Sequence, residues 1–276
     1  MCGGPPPPAG PPRPPPAGPV PPLVFLPAHR RGGAAAGRDE TIPMLCKMRI
    51  GVDLDEVTMA CTDRYRLTYR RVDWVPADGD VSYDLCILPR PLEAVCDAVK
   101  GGDVSVRMAT NRTETGEVTL VGFRVGDRVV TSRVGDTEFI NAAGHLKGVN
   151  DKGYRTTLLV PTEPFLAAIK RADLVRESRE AVVRITVDRE EIRIGAGAGS
   201  QAMAEPIAAT VHGEIGGTIA FNPQFLREGI TAVGGDRIRM EIDTPVRPIM
   251  CTPDLDDTPS LDSPYRYLIM PIRIAS

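Results

Sequence analysis

YLIMPIRI, residues Tyr267 to Ile274, brings the chain to within two residues of its end. Nearly every side chain in it is apolar, whereas chain termini ordinarily fray in water. A greasy terminus needs a sheet, a groove or a partner to hold it. Pro271 has no N–H to give to a ladder, so a strand is predicted to stop near Met270. Residues Pro271, Ile272, Arg273 and Ile274 are then predicted to lie extended on a surface. Taken alone, the run fits equally well an edge strand that closes a core.

Working outward, short alternating runs fill most of the chain. LCKMRIGV, EVTMACT, YRLTYRRV, YDLCIL, VSVRMA, VTLVGF and RVVTSRV read as strands of about six residues, followed in the second half by VVRITV, EEIRIG and AEPIAATV. Three segments read as helices: Arg90 to Gly102, Pro161 to Glu177, and Asn222 to Gly235. The last has Asn222 as N-cap and Pro223 in its first turn. LPRPLEAVCDAVKGGDVSVRM and FNPQFLREGITAVGGDRIRM repeat one pattern: a proline-led helix, a GGD turn and a strand. The repeat predicts two related units of helices packed on antiparallel sheets. Their boundary is expected in the glycine-rich, turn-prone stretch from Asn141 to Arg155.

Ahead of these units, 13 of the 27 prolines fall in the first 27 positions. That composition favours a solvated polyproline II tail, either a ligand for a proline-binding module or a disordered extension. The division is therefore a tail over 1–36 and units over 37–150 and 151–276. At 42% hydrophobic and 25% charged residues the chain has an ordinary soluble composition. Its formal charge of -3 means that any nucleic-acid contact must be local. The six cysteines form no CxxC pair and read as reduced, mostly buried residues of a cytosolic protein. The three histidines have no metal-ligand spacing, and neither a signal peptide nor a membrane span is evident.

Enzyme readings find little support. Asp53, Asp55 and Glu56, and Asp254, Asp256, Asp257 and Asp262, are the carboxylate clusters that a metal-dependent nuclease would need. Both lie at turns between strand-like runs, where acidic residues are common for conformational reasons. GAGAGS (Gly195 to Ser200) lacks the GxxxxGKS form of a phosphate loop. No cofactor or metal is expected.

Four separated stretches carry a resemblance. GRDETIPML (Gly37 to Leu45), ACTDRYRL (Ala60 to Leu67), TIAFNPQFL (Thr218 to Leu226) and the terminal run resemble, in order and spacing, the bacterial DNA polymerase III beta subunit, the sliding-clamp family. The resemblance covers residues 37 to 276. It implies an α+β DNA-clamp fold of two related domains, middle and C-terminal, each with helices packed on antiparallel β-sheets. The family has three domains per chain, so the first is expected to be absent here. The opening helix of the middle domain falls on LPAHRRGGAAAG, a poor helix former.

The function implied is that of a non-catalytic processivity factor that tethers polymerase and repair proteins to double-stranded DNA in the cytoplasm. Partners would be DNA without sequence preference, clients carrying short linear motifs, and a clamp loader. An alternative is a clamp-derived peptide-binding regulator that does not encircle DNA. The resemblance carries a client-peptide pocket onto Leu45, Thr62, Arg64, Tyr65, Arg66 and Leu67 from the first unit. From the second it takes Asn222, Phe225, Val246, Pro248, Leu268, Ile269, Met270, Pro271, Ile272, Arg273 and Ile274. Leu67, Val246, Leu268 and Met270 would be apolar walls, and Arg66 and Arg273 would hold a peptide carbonyl or carboxylate at the rim. FINAAGHLK (Phe139 to Lys147) departs from the family pattern at Ile140, Gly144 and His145, as does Glu180, so client choice is expected to differ. Arg90, Lys100, Lys170, Arg171 and Arg227 are candidates to face DNA, or else belong to solvated helix faces. Leu174 and Val175 fall where the family forms its inter-subunit interface. With the first domain absent, the oligomeric state stays open between a monomer and a weak assembly.

Overall fold

The computed structural model describes residues 19–20, 45, 47–76, 82–88, 91–92, 94–95, 106–113, 115, 117–135, 139–150, 153–175, 182–197, 202–214, 217–255 and 258–274. In chain order the strands of the first half are β1 (Pro19–Val20), β2 (Met48–Asp53), β3 (Glu56–Thr62), β4 (Arg66–Asp73), β5 (Ser82–Ile87), β6 (Val106–Arg112), β7 (Val118–Val125) and β8 (Arg128–Arg133). Helix α1 (Ala142–Asn150) follows, then β9 (Thr156–Pro161), α2 (Thr162–Leu174), β10 (Val183–Val187), β11 (Glu191–Ala196), β12 (Met203–Ala208), β13 (Thr210–Gly213) and β14 (Thr218–Phe221). The chain finishes with α3 (Pro223–Val233), β15 (Arg237–Ile242), β16 (Ile249–Pro253) and β17 (Tyr265–Ile269).

The strands form three antiparallel sheets. Two have four strands each, in the orders β1-β6-β7-β8 and β12-β11-β10-β14. The third has nine, in the order β13-β9-β15-β16-β17-β4-β3-β2-β5. It crosses from one half of the chain to the other where β17 pairs with β4, with Leu268 opposite Leu67 and Ile269 opposite Arg66. Each half keeps its own core. Met48, Ile50, Leu85, Met108, Val121 and Phe123 build the first. Phe165, Ile169, Ile185, Phe221, Leu226 and Ile230 build the second. A third, smaller cluster sits on the seam, where Leu67, Tyr69 and Leu268 pack against Ala142 and Leu146 of α1.

Helix α3 begins as its sequence dictates. The Asn222 side chain accepts hydrogen bonds from the N–H groups of Gln224 and Phe225, and Pro223 fills the first turn. In α2, Phe165, Ile169 and Ala172 are fully buried on one face while Lys170 and Arg171 are exposed. Of the expected 90–102 helix, Pro91, Leu92, Ala94 and Val95 are helical, and the rest lies outside the described residues.

Three expectations need correction. The Asn141–Arg155 stretch is not a run of turns: nine of its residues form α1. The Asn141 side chain accepts from the Gly144 N–H at 2.9 Å, and Ala142 and Leu146 are completely buried, so capping and tertiary packing outweigh the cost of two helical glycines. Strands β9 and β16 were not foreseen. Within the proline-rich tail, Pro19 and Val20 form β1 on the edge of β6, with Pro19 opposite Arg107. Proline is tolerated there because an edge strand leaves one side of its ladder unpaired.

Candidate peptide-binding cleft

Strand alternation divides the seam into two faces. Leu67 and Leu268 point to the α1 side, within the seam cluster. Tyr265, Tyr267 and Ile269 point to the other side, into the core that contains α3. The cleft opens on the α1 side.

Its first wall is the β3–β4 turn. The Asp63 carboxylate accepts from the N–H groups of Tyr65 (3.1 Å) and Arg66 (3.0 Å), and the Thr62 hydroxyl donates to the Arg66 carbonyl (2.9 Å). These bonds hold Arg64 at φ +76°, in the left-handed region. Its opposite wall is the terminal run. β17 stops at Ile269, after which the Met270 N–H donates to the Tyr65 carbonyl at 2.8 Å. Pro271 interrupts the ladder, and the Ile272 N–H then donates to Ala220 of β14 at 2.7 Å. The terminus is thus bonded to both halves of the chain. A third wall comes from α1, which presents His145 and Val149, with Ile140 just before it.

The open cleft so bounded measures about 140 Å³ and is lined by Thr62, Arg64, Tyr65, Arg66, Leu67, Pro248, Leu268 and Met270 together with the three α1-side residues. Eight of the seventeen residues assigned to the pocket from sequence therefore meet there. Leu45 is buried at 3% exposure. Asn222 is occupied as the α3 cap, and Phe225 packs beneath the turn, its ring 6.3 Å from that of Tyr65. Val246, Ile272 and Ile274 are exposed without lining this cavity, Arg273 is exposed, and Ile269 and Pro271 are buried. Val149 was missed. The signal was present as the apolar spacing Ala142, Leu146, Val149 behind an asparagine cap.

Arg66 lines the cavity, but its guanidinium is already engaged by carboxylates of the chain itself. Its guanidinium lies on the α3 face, where Nε meets Asp63 at 2.8 Å and a terminal nitrogen meets Glu228 at 2.6 Å. It also stacks over the Phe225 ring at 4.1 Å. Burial alone would lower its pKa, but Tyr267, Glu228 and Asp63 together raise it, so the group stays charged.

Away from the cleft, Arg171 forms a two-pronged ion pair with Glu205, and Arg227 lies 3.9 Å from Asp173. Lys170 is exposed, and Arg90, Lys100 and Glu180 lie outside the described residues. Leu174 is 79% exposed, and Val175 packs against the second core. Cys61, Cys86 and Cys251 are unpaired and buried, and burial pushes their thiol pKa values up. Among the described residues no three His, Cys, Asp or Glu side chains are grouped to hold a metal, and no helix is long and apolar enough to cross a membrane.

Two α+β units fused through one sheet, with an apolar cleft at the seam, are the layout of a DNA clamp. Residues 28–141 match the sequence profile of the DNA polymerase III beta subunit central domain, and residues 151–273 match that of its C-terminal domain. The chain belongs to the DNA polymerase III beta subunit family. The Beta sliding clamp of Streptomyces coelicolor is 32% identical to it over 257 residues, 93% of this chain and 66% of that relative. The Beta sliding clamp homolog GriR of Streptomyces muensis is 26% identical over 249 residues, 90% of this chain and 64% of that relative. The crystal structure of the DNA polymerase sliding clamp from Bacillus subtilis superposes with a TM-score of 0.80 at 25% identity, covering 94% of this chain and 64% of that one. The chain thus spans just under two thirds of the length of these relatives.

Proposed function

We propose that this chain is a non-catalytic clamp-type subunit that tethers replication or repair proteins to double-stranded DNA in the cytoplasm. Residues 37–150 and 151–276 serve as its two clamp units. Clients dock as short extended peptides in the seam cleft. The observation that carries this reading is the β17–β4 register: it sets the Thr62–Leu67 turn and Met270 side by side, as facing walls of one apolar slot. The slot's volume of about 140 Å³ is close to the roughly 150 Å³ apolar cavity that accepts a benzene ring, so one leucine or phenylalanine anchor fills it. Buried anchors of this kind carry most of the energy of such interfaces.

The test is fluorescence anisotropy with a labelled QLxLF-type peptide. Met270→Ala or Leu67→Ala is expected to weaken binding by about 1–3 kcal/mol with the circular dichroism spectrum unchanged. Unaltered affinity in both variants would remove the site.

A second reading, a peptide-binding regulator that does not encircle DNA, is favoured by one observation. Two of the cations proposed to face phosphate, Arg171 and Arg227, already face Glu205 and Asp173. Sliding contact needs little charge, because topology does the holding. Loading onto nicked circular and linear DNA separates the readings. A working clamp persists on the circle and runs off the linear duplex, whereas a regulator is retained on neither.

A further inference from the structure

The β1-β6-β7-β8 sheet packs one face on the first core and turns the other to solvent. Met108, Val121 and Phe123 point inward and are buried. Alternation then puts Arg107, Arg124 and Arg133 on the outer face, where all three are exposed. The pairing registers align that face in rows. Arg107 stands opposite Arg124, Gly122 lies between Ala109 and Thr131, and Leu120 stands opposite Arg133. Strands β6, β7 and β8 carry no Asp or Glu; Glu117 and Asp127 belong to the hairpin turns. Arg171 and Arg227 have carboxylate partners, but these three arginines form no ion pair or side-chain hydrogen bond among the described residues. In a chain of net charge -3, the positive charge is thus local and uncompensated.

Two features of this face work against the fold. Arg107 and Arg124 are like charges placed directly opposite each other, which weakens a sheet. Gly122 sits in the middle of β7, a poor place for glycine. Its φ lies outside the left-handed region, and a Cβ there would meet only ordinary contacts, at 3.8 Å from Thr131 and 4.0 Å from Ala109. Neither conformation nor crowding demands a glycine. A strand glycine with room for a side chain marks a place where another backbone approaches closely.

We infer that this outer sheet face docks the phosphodiester backbone of double-stranded DNA, apart from both the helices and the cleft. A backbone laid along Ala109, Gly122 and Thr131 has guanidinium-bearing rows about 7 Å to either side, two residues along each strand. Arginine forks take phosphate oxygens in pairs. The face carries no aromatic side chain on which an unpaired base could stack, which disfavours a single strand. Its middle row of small residues makes a shallow track with no pocket for a side-chain anchor, which disfavours an acidic peptide. Contacts of this kind hold DNA without reading its sequence.

The test titrates the full chain into a short labelled linear duplex, which no ring can hold by topology, and follows anisotropy across a salt series. The parent is expected to bind duplexes of unrelated sequence alike, with a log–log salt slope of roughly -3, one unit per neutralised phosphate. Arg107→Gln, Arg124→Gln and Arg133→Gln combined should weaken low-salt binding by roughly tenfold or more and flatten the slope. Arg124→Glu turns the repulsion with Arg107 into attraction, so it is expected to raise the urea midpoint while weakening duplex binding by roughly tenfold. Gly122→Val fills the track with a good strand former, and should leave the midpoint no lower while costing roughly three- to tenfold in affinity. Peptide affinity at the cleft is expected to stay unchanged in all of these variants, so failure here leaves the cleft reading standing. The inference is overturned by a parent that binds no duplex at low salt, by duplex binding that survives the triple variant or Gly122→Val, or by a glutamate-rich peptide that binds the face more tightly than the duplex does.

Discussion

Replacing Arg66 by alanine is expected to destabilise the protein by about 2–4 kcal/mol, read as a fall in the urea midpoint. The side chain is 6% exposed and its two ion-pair partners come from different halves of the chain: Asp63 from its own turn and Glu228 from α3, 162 positions away. Removing one member of a buried network leaves the others charged without their counterion, although Asp63 keeps its backbone N–H bonds and Glu228 keeps the one from Gln224, and that cost exceeds the net worth of the pair itself. Asp63, at 10% exposure, is the partner most penalised; Glu228, at 29%, partly rehydrates, which keeps the loss from the top of the usual range. The guanidinium also stacks on Phe225, so its packing is lost with its charge. Adding Glu228→Gln to Arg66→Ala removes one of the stranded carboxylates, and the double variant is expected to lose less than the sum of the singles. The peptide cleft should weaken too, although the guanidinium faces away from it. Arg66 supplies the carbonyl that Thr62 grips and the N–H that Asp63 accepts from, so it positions the turn. Additive losses, or a single-variant cost below about 1 kcal/mol, would show that the network does not join the two halves.

What the sequence could and could not disclose follows from the range of each interaction. Local determinants were readable. The Asn222–Pro223 cap, the stop at Pro271 and the buried Phe165–Ile169–Ala172 stripe each depend on neighbours within a few positions. The pairing of β17 with β4 was not locally encoded. Nothing in Tyr267 to Ile269 specifies a partner some two hundred residues earlier, and it was the motif resemblance that set the two segments together. The inward turn of Arg66 was hidden for the same reason. Alternation places it on the face opposite Leu67, but only the fold brings Glu228 there. Helix α1 was obscured by Gly144 and Gly148, whose unfavourable propensity is outweighed by the burial of Ala142 and Leu146 on the seam. That error mattered for the site, since α1 is the wall that carries His145 and Val149.

Gly229→Ala tests the other side of the same seam and is expected to cost about 2–3 kcal/mol, an overpacking penalty that exceeds the roughly 1 kcal/mol a helical alanine ordinarily gains over glycine. Gly229 lies in the middle of α3, where propensity alone argues for replacement. It faces the ring of Tyr267, and a Cβ placed there would overlap that ring. The ring cannot swing aside. Tyr267 is 1% exposed, and its hydroxyl donates to the Phe225 carbonyl at 2.9 Å, tying β17 to the first turn of α3. Relief must therefore come from lifting α3 off β17, which disturbs Leu268 and Met270 on the neighbouring positions of the strand and its extension. The variant should lower the urea midpoint with little change in the slope of the transition, and it should weaken peptide binding in proportion. Tyr267→Phe removes the tether while keeping most of the ring, so Gly229→Ala is expected to cost less in that background than in the parent. A neutral or stabilising Gly229→Ala would mean that α3 does not bear on the strand, and the seam would then lose one of the two helices argued to hold the cleft in shape.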